Sequence, residues 1–370
     1  MSELPVLELS GSHRDRGLAH GEHFRENVKD TINVYRRRFR SHDLNDTTID
    51  NHAGQWSNFI KKVSPDFYVE MAAVAEGAGV TVEDIALINA RYEMTWGLSG
   101  KDIDTFDQHG ELLNNGCTTF AVDGTLSEDG NLYLGQTYDW MSAIYPNCVV
   151  LRVKPDGKPS YICHTEAGVI GGKIAVNEFG IGFVINGLVS KYDGVNPTME
   201  IPWHVRARGI IEATTFDYAL LPVVKTRRMG SSNFVIGQHY DSIGGNVVNL
   251  ECTPDYVNYL YPVNGIVTHS NHLSADHSVS RFEKLSPSTL YRNVRMEQLL
   301  KHNPKTLEGY KNSLKDHFGF PNSICRHNDD RMPEEKRVMT ICAAVVDLAN
   351  RSLWLSNGEP CVNEFIEYKL

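Results

Sequence analysis

NGCTTF, residues 115–120, is the stretch of this 370-residue chain that decides its fold and its chemistry. Asn115-Gly116 is a turn dipeptide, and the residues after it favour a strand. An isolated match of this kind is usually only a turn followed by a small residue. The alternative makes Cys117 a nucleophile, because Gly116 leaves its own carbonyl open to attack and tolerates strained backbone geometry. Gly116/Cys117 is therefore the predicted autocleavage site.

Cleavage at this bond would produce an unusual catalytic residue. The Cys117 thiol attacks the Gly116 carbonyl, the acyl group moves from nitrogen to sulfur, and hydrolysis leaves Cys117 as a new N-terminus. Its α-amine has an ordinary pKa of roughly 7.7–8.0, which suits a general base near neutral pH. Nucleophile and base would then lie on one residue, and the reaction would pass through an acyl-enzyme thioester.

The sequence before Cys117 is predicted to be mainly helical. A polar turn over residues 11–17 precedes one helix, in which apolar residues 24–32 recur at helical spacing. A second apolar periodicity covers residues 67–75, and Thr81 caps a third helix. The polar stretch 98–115 is the best candidate for an exposed connection leading to the cleavage site.

After Cys117, short strand-like runs separated by turn signals dominate the pattern. The predicted strands are 117–122, 132–134, 148–153, 161–164, 174–177, 182–186, 233–236, 247–251, 340–347 and 352–356. The predicted helices are 202–219, 289–301 and 306–316. Strands and helices in this order predict an α+β fold with two sheets between helical layers.

An N-terminal nucleophile needs a carboxylate to hold its amine and polar groups to stabilise the oxyanion. Asp139 follows the nucleophile by 22 residues, just past a predicted strand, and Asn271 and Arg326 stand in loop-like segments. Physical reasoning alone does not select these three over other residues of the same types.

Several segments, in order, extend the pattern over nearly the whole chain. They are residues 17–21 (GLAHG), 75–80 (AEGAGV), 87–93 (LINARYE), 116–119 (GCTT), 166–174, 270–272 (SNH) and 323–326 (SICR). Together they resemble the isopenicillin-N acyltransferase family of N-terminal-nucleophile proteins. The resemblance implies a four-layer αββα sandwich, with a helical α-subunit of residues 1–116 and a β-subunit of residues 117–370 that together form one structural domain.

The resemblance also implies roles for individual residues. Cys117 would be nucleophile and base, Asp139 would orient its amine, Asn271 would stabilise the oxyanion and Arg326 would complete the charge network. Three further residues are expected to bind substrate or support the site: Thr119, Tyr138 and Asn186. No metal ligand and no cofactor are predicted.

The family includes acyl-CoA-dependent transferases and hydrolases that cleave β-alanyl amides. The sequence has no phosphate-binding glycine-rich loop and no evident Lys/Arg cluster in the β-chain. We therefore expect a cysteine amidohydrolase acting on a small N-acyl or β-alanyl amide, with acyl-CoA-dependent N-acyl transfer as the alternative.

The composition limits the classes of molecule that this protein is expected to bind. A net charge of −10 argues against nucleic acid and anionic membranes, and the basic run 36–40 is predicted to be a solvated helix face. No apolar run approaches the roughly 18 residues of a membrane span. Seven scattered cysteines without a secretory signal favour a reducing, cytoplasmic location. The expected partners are a small-molecule amide and the two fragments of one precursor. The sequence leaves open whether the protein forms a homo-oligomer.

Three other classes of function remain. His269 and His272, spaced as H-x-x-H and joined by His327, could ligate zinc in a metal-dependent hydrolase, although no H-E-x-x-H motif is present. A serine hydrolase is weaker, because the sequence has no G-x-S-x-G elbow. A non-enzymatic protein that never cleaves would leave Cys117 an inert thiol.

Overall fold

The computed structural model describes residues 3–97, 116–195 and 197–370, and within them the strands form two sheets. The eight-stranded sheet has the order β1-β4-β5-β6-β7-β8-β9-β10, and the six-stranded sheet has the order β11-β2-β3-β12-β13-β14. The first contains β1 (Val6–Gly11), β4 (Cys148–Pro155), β5 (Tyr161–Glu166), β6 (Ile174–Asn177), β7 (Ile181–Gly187), β8 (Ser232–Tyr240), β9 (Gly244–Cys252) and β10 (Val257–Leu260). The second contains β2 (Gly116–Val122), β3 (Tyr133–Met141), β11 (Ile266–His269), β12 (Val338–Asp347), β13 (Ser352–Asn357) and β14 (Phe365–Lys369).

The helices fall into two groups. Before Cys117 lie α1 (His13–His23), α2 (Arg25–Ser41), α3 (Asp46–Val63), α4 (Pro65–Ala78) and α5 (Val82–Asn89). After it lie α6 (Trp203–Ile211), α7 (Phe216–Val224), the single turn α8 (Phe282–Leu285), α9 (Ser288–His302) and α10 (Leu307–Ser313). No helix among the described residues combines the length and apolar character that crossing a membrane requires.

The two sheets pack face to face between helical layers. Strands β2 and β3 contact β7, and β12 contacts β6. Helices α9 and α10 cover the outer face of the six-stranded sheet, while α6 and α7 cover the eight-stranded one. Every residue of β2, β3 and β12 is buried, as expected for strands covered on both faces. The predicted α+β sandwich is therefore confirmed.

The polar turn predicted over residues 11–17 is wrong. Ser12 caps α1 there, and it forms a reciprocal capping box with Asp15. The helix was hidden because its buried face is glycine rather than apolar. A Cβ at Gly17 would overlap the carbonyl oxygen of Glu70 in α4, so the missing side chain allows the two helices to pack backbone to backbone.

Other local predictions were partly right. Thr81 accepts a hydrogen bond from the N–H of Asp84 and caps α5 as expected. The helix predicted over 202–219 is divided into α6 and α7. Strand β3 extends well beyond 132–134, so Asp139 lies inside it, because buried polar residues interrupt its apolar pattern. The predicted connection 98–115 lies outside the described residues.

Candidate active site

The order of strands in the six-stranded sheet brings the predicted site residues together. Cys117 lies on β2, whose neighbours are β3, which carries Asp139, and β11, which ends two residues before Asn271. Gly116 is directly opposite Asp139 in the β2–β3 register. Arg326 joins the group through β12, because its backbone N–H donates to the Thr340 hydroxyl at 2.9 Å. Four residues spread over 210 positions of sequence thus meet at one end of these strands.

Cys117 is enclosed at this end of β2, with 7% of its surface exposed. Its backbone N–H donates to Oδ1 of Asn271 at 2.9 Å. Burial and the nearby Asp139 carboxylate raise the pKa of the Cys117 thiol to about 12, and the Arg292 guanidinium opposes them. The thiol is therefore protonated at neutral pH.

Arg292, on α9, is a central residue of the site that sequence reasoning missed. Its Nη1 donates to the Cys117 carbonyl at 2.7 Å and to the Thr118 hydroxyl at 2.9 Å. Its Nη2 donates to Oδ1 of Asn271 at 2.9 Å. Burial and the neighbouring Arg326 lower the pKa of Arg292 to about 10. Its signal in the sequence is only an arginine in an amphipathic helix, which no motif distinguishes from a surface residue.

Asp139 is held by one neutral donor and one cation. Its Oδ1 accepts from the Thr340 hydroxyl at 2.7 Å, and its Oδ2 lies 3.5 Å from Nε of Arg326. Burial raises the pKa of Asp139 to about 6, against the opposing effects of Arg326 and Arg292. A carboxyl with this pKa can exchange a proton near neutral pH, as a general base must.

The amide of Asn271 has a defined orientation. Two N–H donors, from Cys117 and Arg292, point at one atom, which must therefore be the oxygen. Its Nδ2 donates to the Gly187 carbonyl at 2.9 Å. The amide nitrogen of Asn271 is thus engaged with the backbone.

A buried polar network lies beside Cys117 and contains two of the expected supporting residues. The Thr119 hydroxyl donates to Oδ1 of Asn186 at 3.3 Å, and Nδ2 of Asn186 lies 3.1 Å from Nδ1 of His269. The other ring nitrogen of His269 is 2.7 Å from Glu251. Glu251 also accepts the Ala275 N–H at 3.0 Å, so the network links the site to the loop after Asn271.

His269 and His272 do not form a metal centre within the described part of the chain. His269 is engaged by Glu251, and Nδ1 of His272 is 3.0 Å from the Thr289 hydroxyl. The one group of three or more metal-binding side chains found there lies elsewhere and includes His327 without these two. The geometry therefore favours hydrogen bonding as the role of both histidines.

Tyr138 belongs to a charged wall of the pocket that opens beside Cys117. The Tyr138 hydroxyl donates to Glu166 at 2.7 Å, and Arg91 and Lys173 form ion pairs with the same carboxylate at 3.0 and 2.8 Å. Two cations thus face one carboxylate. The pocket has a volume of about 30 Å³, which admits a few waters but not a substrate.

A larger basic cavity of about 690 Å³ is lined by Arg37, Arg38 and Arg337, among others. The Arg38 guanidinium lies 4.9 Å from the ring centre of Trp140, a residue of the Cys117 pocket. Its Nε and Nη2 have no hydrogen-bond partner within the described residues. The prediction of a solvated helix face over residues 36–40 is therefore wrong for Arg38, which is half-buried.

The structural class of this protein is a mixed α+β sandwich of two sheets, with an enclosed thiol at the start of strand β2. A sequence model of the acyl-coenzyme A:6-aminopenicillanic acid acyl-transferase family matches residues 125–361. That span is well over half of the chain, so the chain belongs to this family of enzymes. Asp139, Asn271 and Arg326 lie inside the matched span, and Cys117 lies eight residues before it.

Individual proteins are also similar. The 40 kDa form of the acyl-coenzyme A:6-aminopenicillanic-acid acyltransferase of Emericella nidulans is 29% identical over 304 residues, which is 81% of this chain and 77% of that protein. A Caenorhabditis elegans orthologue of N-acylethanolamine-hydrolyzing acid amidase superposes with a TM-score of 0.45 and 12% identity, covering 63% of this chain and 93% of that one. Penicillin V acylase from Agrobacterium tumefaciens superposes with a TM-score of 0.43 and 13% identity, covering 69% of this chain and 86% of that one.

Proposed function

We propose that this protein is a self-cleaving cysteine amidohydrolase, activated by cutting between Gly116 and Cys117 into an α-subunit of residues 1–116 and a β-subunit of residues 117–370. The observation that carries the proposal is the 2.9 Å hydrogen bond from the Cys117 backbone nitrogen to Asn271. That nitrogen would become the catalytic amine, and its acceptor is already in place before cleavage. A pocket that admits only water is also what an uncut precursor would have.

Cleavage would use Asp139 as the first base. Asp139 accepts the thiol proton while Cys117 sulfur bonds to the Gly116 carbonyl carbon. The Gly116–Cys117 C–N bond then breaks, and the departing nitrogen takes a proton to become the amine. Water hydrolyses the resulting thioester, releasing the Gly116 carboxylate and regenerating the thiol. A base with a pKa of about 6 beside a thiol of about 12 makes this proton transfer uphill, so processing should be slower than turnover.

Turnover would use the new amine as base. The amine accepts the thiol proton, the sulfur attacks the substrate amide, and the amine returns the proton to the leaving nitrogen. Water then hydrolyses the acyl thioester. In this scheme Oδ1 of Asn271 holds the amine, and its Nδ2 stabilises the oxyanion after leaving the Gly187 carbonyl. Arg326 and Arg292 would keep Asp139 ionised beside the amine.

The charges of the pocket wall restrict the substrate. Arg91 and Lys173 carry two positive charges against the one negative charge of Glu166, so this buried pocket wall has one net positive charge. An additional ammonium group would be repelled there. We therefore favour an N-acyl amide that carries an anionic group over a β-alanyl amide.

Acyl-CoA-dependent transfer is the second candidate, and the basic cavity favours it. Its half-buried Arg38 has guanidinium donors without partners, and such donors suit phosphate or carboxylate oxygens. Because Arg38 stacks on Trp140 of the thiol pocket, an anionic donor bound there would be close to Cys117.

The first experiment is a denaturing mass spectrum of protein purified without protease exposure. Cleavage before Cys117 divides the 41.6 kDa chain into pieces of about 13 kDa and about 28 kDa. Cys117→Ala should stay intact, whereas Cys342→Ala, which removes another buried thiol from the same sheet, should be cut normally. Full activity of an intact wild-type chain would refute the proposal.

The substrate is tested with coumarin amides that share one leaving group. Glutaryl, acetyl and β-alanyl amides of 7-amino-4-methylcoumarin carry an anionic, a neutral and a cationic acyl group. We expect kcat/KM to fall in that order, and Lys173→Met to reduce the preference for glutaryl. Fastest cleavage of the β-alanyl amide would contradict the charge argument. Amine-dependent release of CoA from an acyl-CoA would favour transfer.

A further inference from the structure

Four metal-binding side chains outside the active site converge on one point: His317, Cys325, His327 and Cys361. Their ligand atoms all lie within 4.8 Å of one another. Nε2 of His327 is 3.1 Å from Nε2 of His317, 3.6 Å from the Cys325 sulfur and 3.4 Å from the Cys361 sulfur.

Hydrogen bonding does not explain this arrangement. An imidazole nitrogen has either one hydrogen or one in-plane lone pair, so Nε2 of His327 can satisfy only one of its three close neighbours. The other two neighbours would lie against Nε2 of His327 without a hydrogen bond to it. Atoms that all face a common centre are instead the pattern of ligands around a cation.

The three distances from Nε2 of His327 are close to those of a tetrahedral zinc site. Zinc bonds of about 2.0–2.1 Å to nitrogen and about 2.3 Å to sulfur place two nitrogen ligands about 3.4 Å apart, and a nitrogen and a sulfur about 3.6 Å apart. The observed separations of 3.1, 3.6 and 3.4 Å follow this pattern. We propose that His317, Cys325, His327 and Cys361 form a Cys₂His₂ site for one zinc ion.

The ligand set indicates a structural role. Four protein ligands complete the tetrahedron and leave no position for a substrate or a reactive water. The carboxylate of Glu359 lies 3.8 Å from Nδ1 of His327, on the side where zinc-bound imidazoles commonly have an acidic neighbour. The zinc would therefore act as a clamp rather than as a catalyst.

The clamp would join two irregular segments of the chain. His317, Cys325 and His327 lie between α10 and β12, in a stretch whose only helical piece is the short turn Glu334–Lys336. Cys361 lies in the connection from β13 to β14. Such a stretch has little apolar core of its own, so a metal cross-link would supply order that regular structure does not.

The clamp would also position an active-site residue. Cys325 and His327 are the two neighbours of Arg326, whose Nε lies 3.5 Å from Asp139. Zinc bound on both sides would fix the backbone from which this guanidinium extends. The absence of a metal was expected from sequence because the cysteines are far apart, yet the β13–β14 connection brings Cys361 to the group.

The test is zinc content of the full-length protein, purified without chelator from zinc-supplemented cells and measured by inductively coupled plasma mass spectrometry. We expect one zinc per chain in the wild type, and loss of zinc from Cys361→Ser and His317→Ala. His317 is exposed, so its replacement should not prevent folding. His302→Ala, at another exposed histidine, should retain the metal.

Cobalt replacement provides a spectroscopic test. Wild-type protein stripped and reloaded with Co²⁺ should show intense tetrahedral d–d bands and a thiolate charge-transfer band, and Cys361→Ser, which should not hold the metal, should lose both. A wild-type protein without bound metal that takes up neither ion would overturn the proposal, as would a Cys325–Cys361 disulfide in it. These readouts do not depend on cleavage, so they stand even where the proposed function fails.

Discussion

A side chain at residue 116 would collide with Arg292: a Cβ on Gly116 would lie 2.7 Å from Nη2 and 3.1 Å from Cζ of that guanidinium. Arg292 is fully buried and bonded to Cys117, Thr118 and Asn271, so it has no space to retreat. Gly116 is therefore required by the packing of an arginine, in addition to the access to its carbonyl that the proposed cleavage needs.

Gly116→Ala should slow autocleavage by about 100-fold, because the displaced guanidinium would shift both Cys117 and the amide that holds it. The measurement is the fraction of cut chain over time by mass spectrometry. Gly54→Ala is the control, since a Cβ there meets nothing within 4 Å and favours the helix. Equal rates for the two variants would contradict the steric argument.

Arg292→Met should lower the free energy of unfolding by about 2–4 kcal/mol, because it leaves the Cys117 carbonyl and the Asn271 amide without a charged donor. Urea titration measures the change, and the variant should also remain uncut. Arg295→Met, on the same helix, removes a partly exposed pair with Asp316 and a contact with the Phe318 ring, and should cost about 0–1 kcal/mol. A comparable cost at both positions would argue against a special role for Arg292.

Autocleavage should accelerate as pH rises through about 6, because the carboxylate form of Asp139 is the proposed base. Asp139→Asn should remove this dependence and reduce the rate by about 10²–10⁴-fold. Asp193→Asn is a matched control, since burial also raises the pKa of Asp193 to about 6, and here the pH dependence should persist. A pH profile unchanged by Asp139→Asn would exclude this residue as the base.

The contribution of Asp139 to stability should depend on pH in the direction opposite to the autocleavage rate: stability should fall as pH rises. Its pKa is higher in the folded chain than the ordinary aspartate value, so the folded state is favoured below that ordinary value and loses this advantage as pH rises to about 6. Asp139→Asn, which imitates the protonated form, should therefore not lower the melting temperature at pH 8. A large loss there would mean that impaired cleavage reflects unfolding.

Glu251→Gln should destabilise the fold by about 1–3 kcal/mol. Burial alone would raise the pKa of Glu251, but hydrogen bonds from His269 and the N–H groups of Ser274 and Ala275 lower it overall. The stabilisation is thus present above the ordinary glutamate range and is lost as pH falls. Thermal unfolding at neutral and acid pH should show that the difference between wild type and variant shrinks on acidification. A constant difference would assign the effect to packing.

Much of the fold could be predicted from sequence because local rules applied there. Thr81 caps α5, as its residue type indicated. Prediction failed where tertiary contacts replaced the usual patterns. Helix α1 buries glycines instead of apolar residues, and β3 contains buried polar residues that serve the site.

The sequence by itself determined the two-sheet class of the fold, because the order of strand-like and helical patterns carries that information. It indicated the junction Gly116-Cys117 through residue type, and Asp139, Asn271 and Arg326 only through the resemblance to a known family. Tertiary structure alone decided what surrounds them. Arg292 reaches the nucleophile from a helix 175 residues away, and His317 and Cys361 meet from separate loops. The reason is physical: a contact depends on how the strands and helices pack in space, and residues far apart in sequence leave no spacing that reveals it.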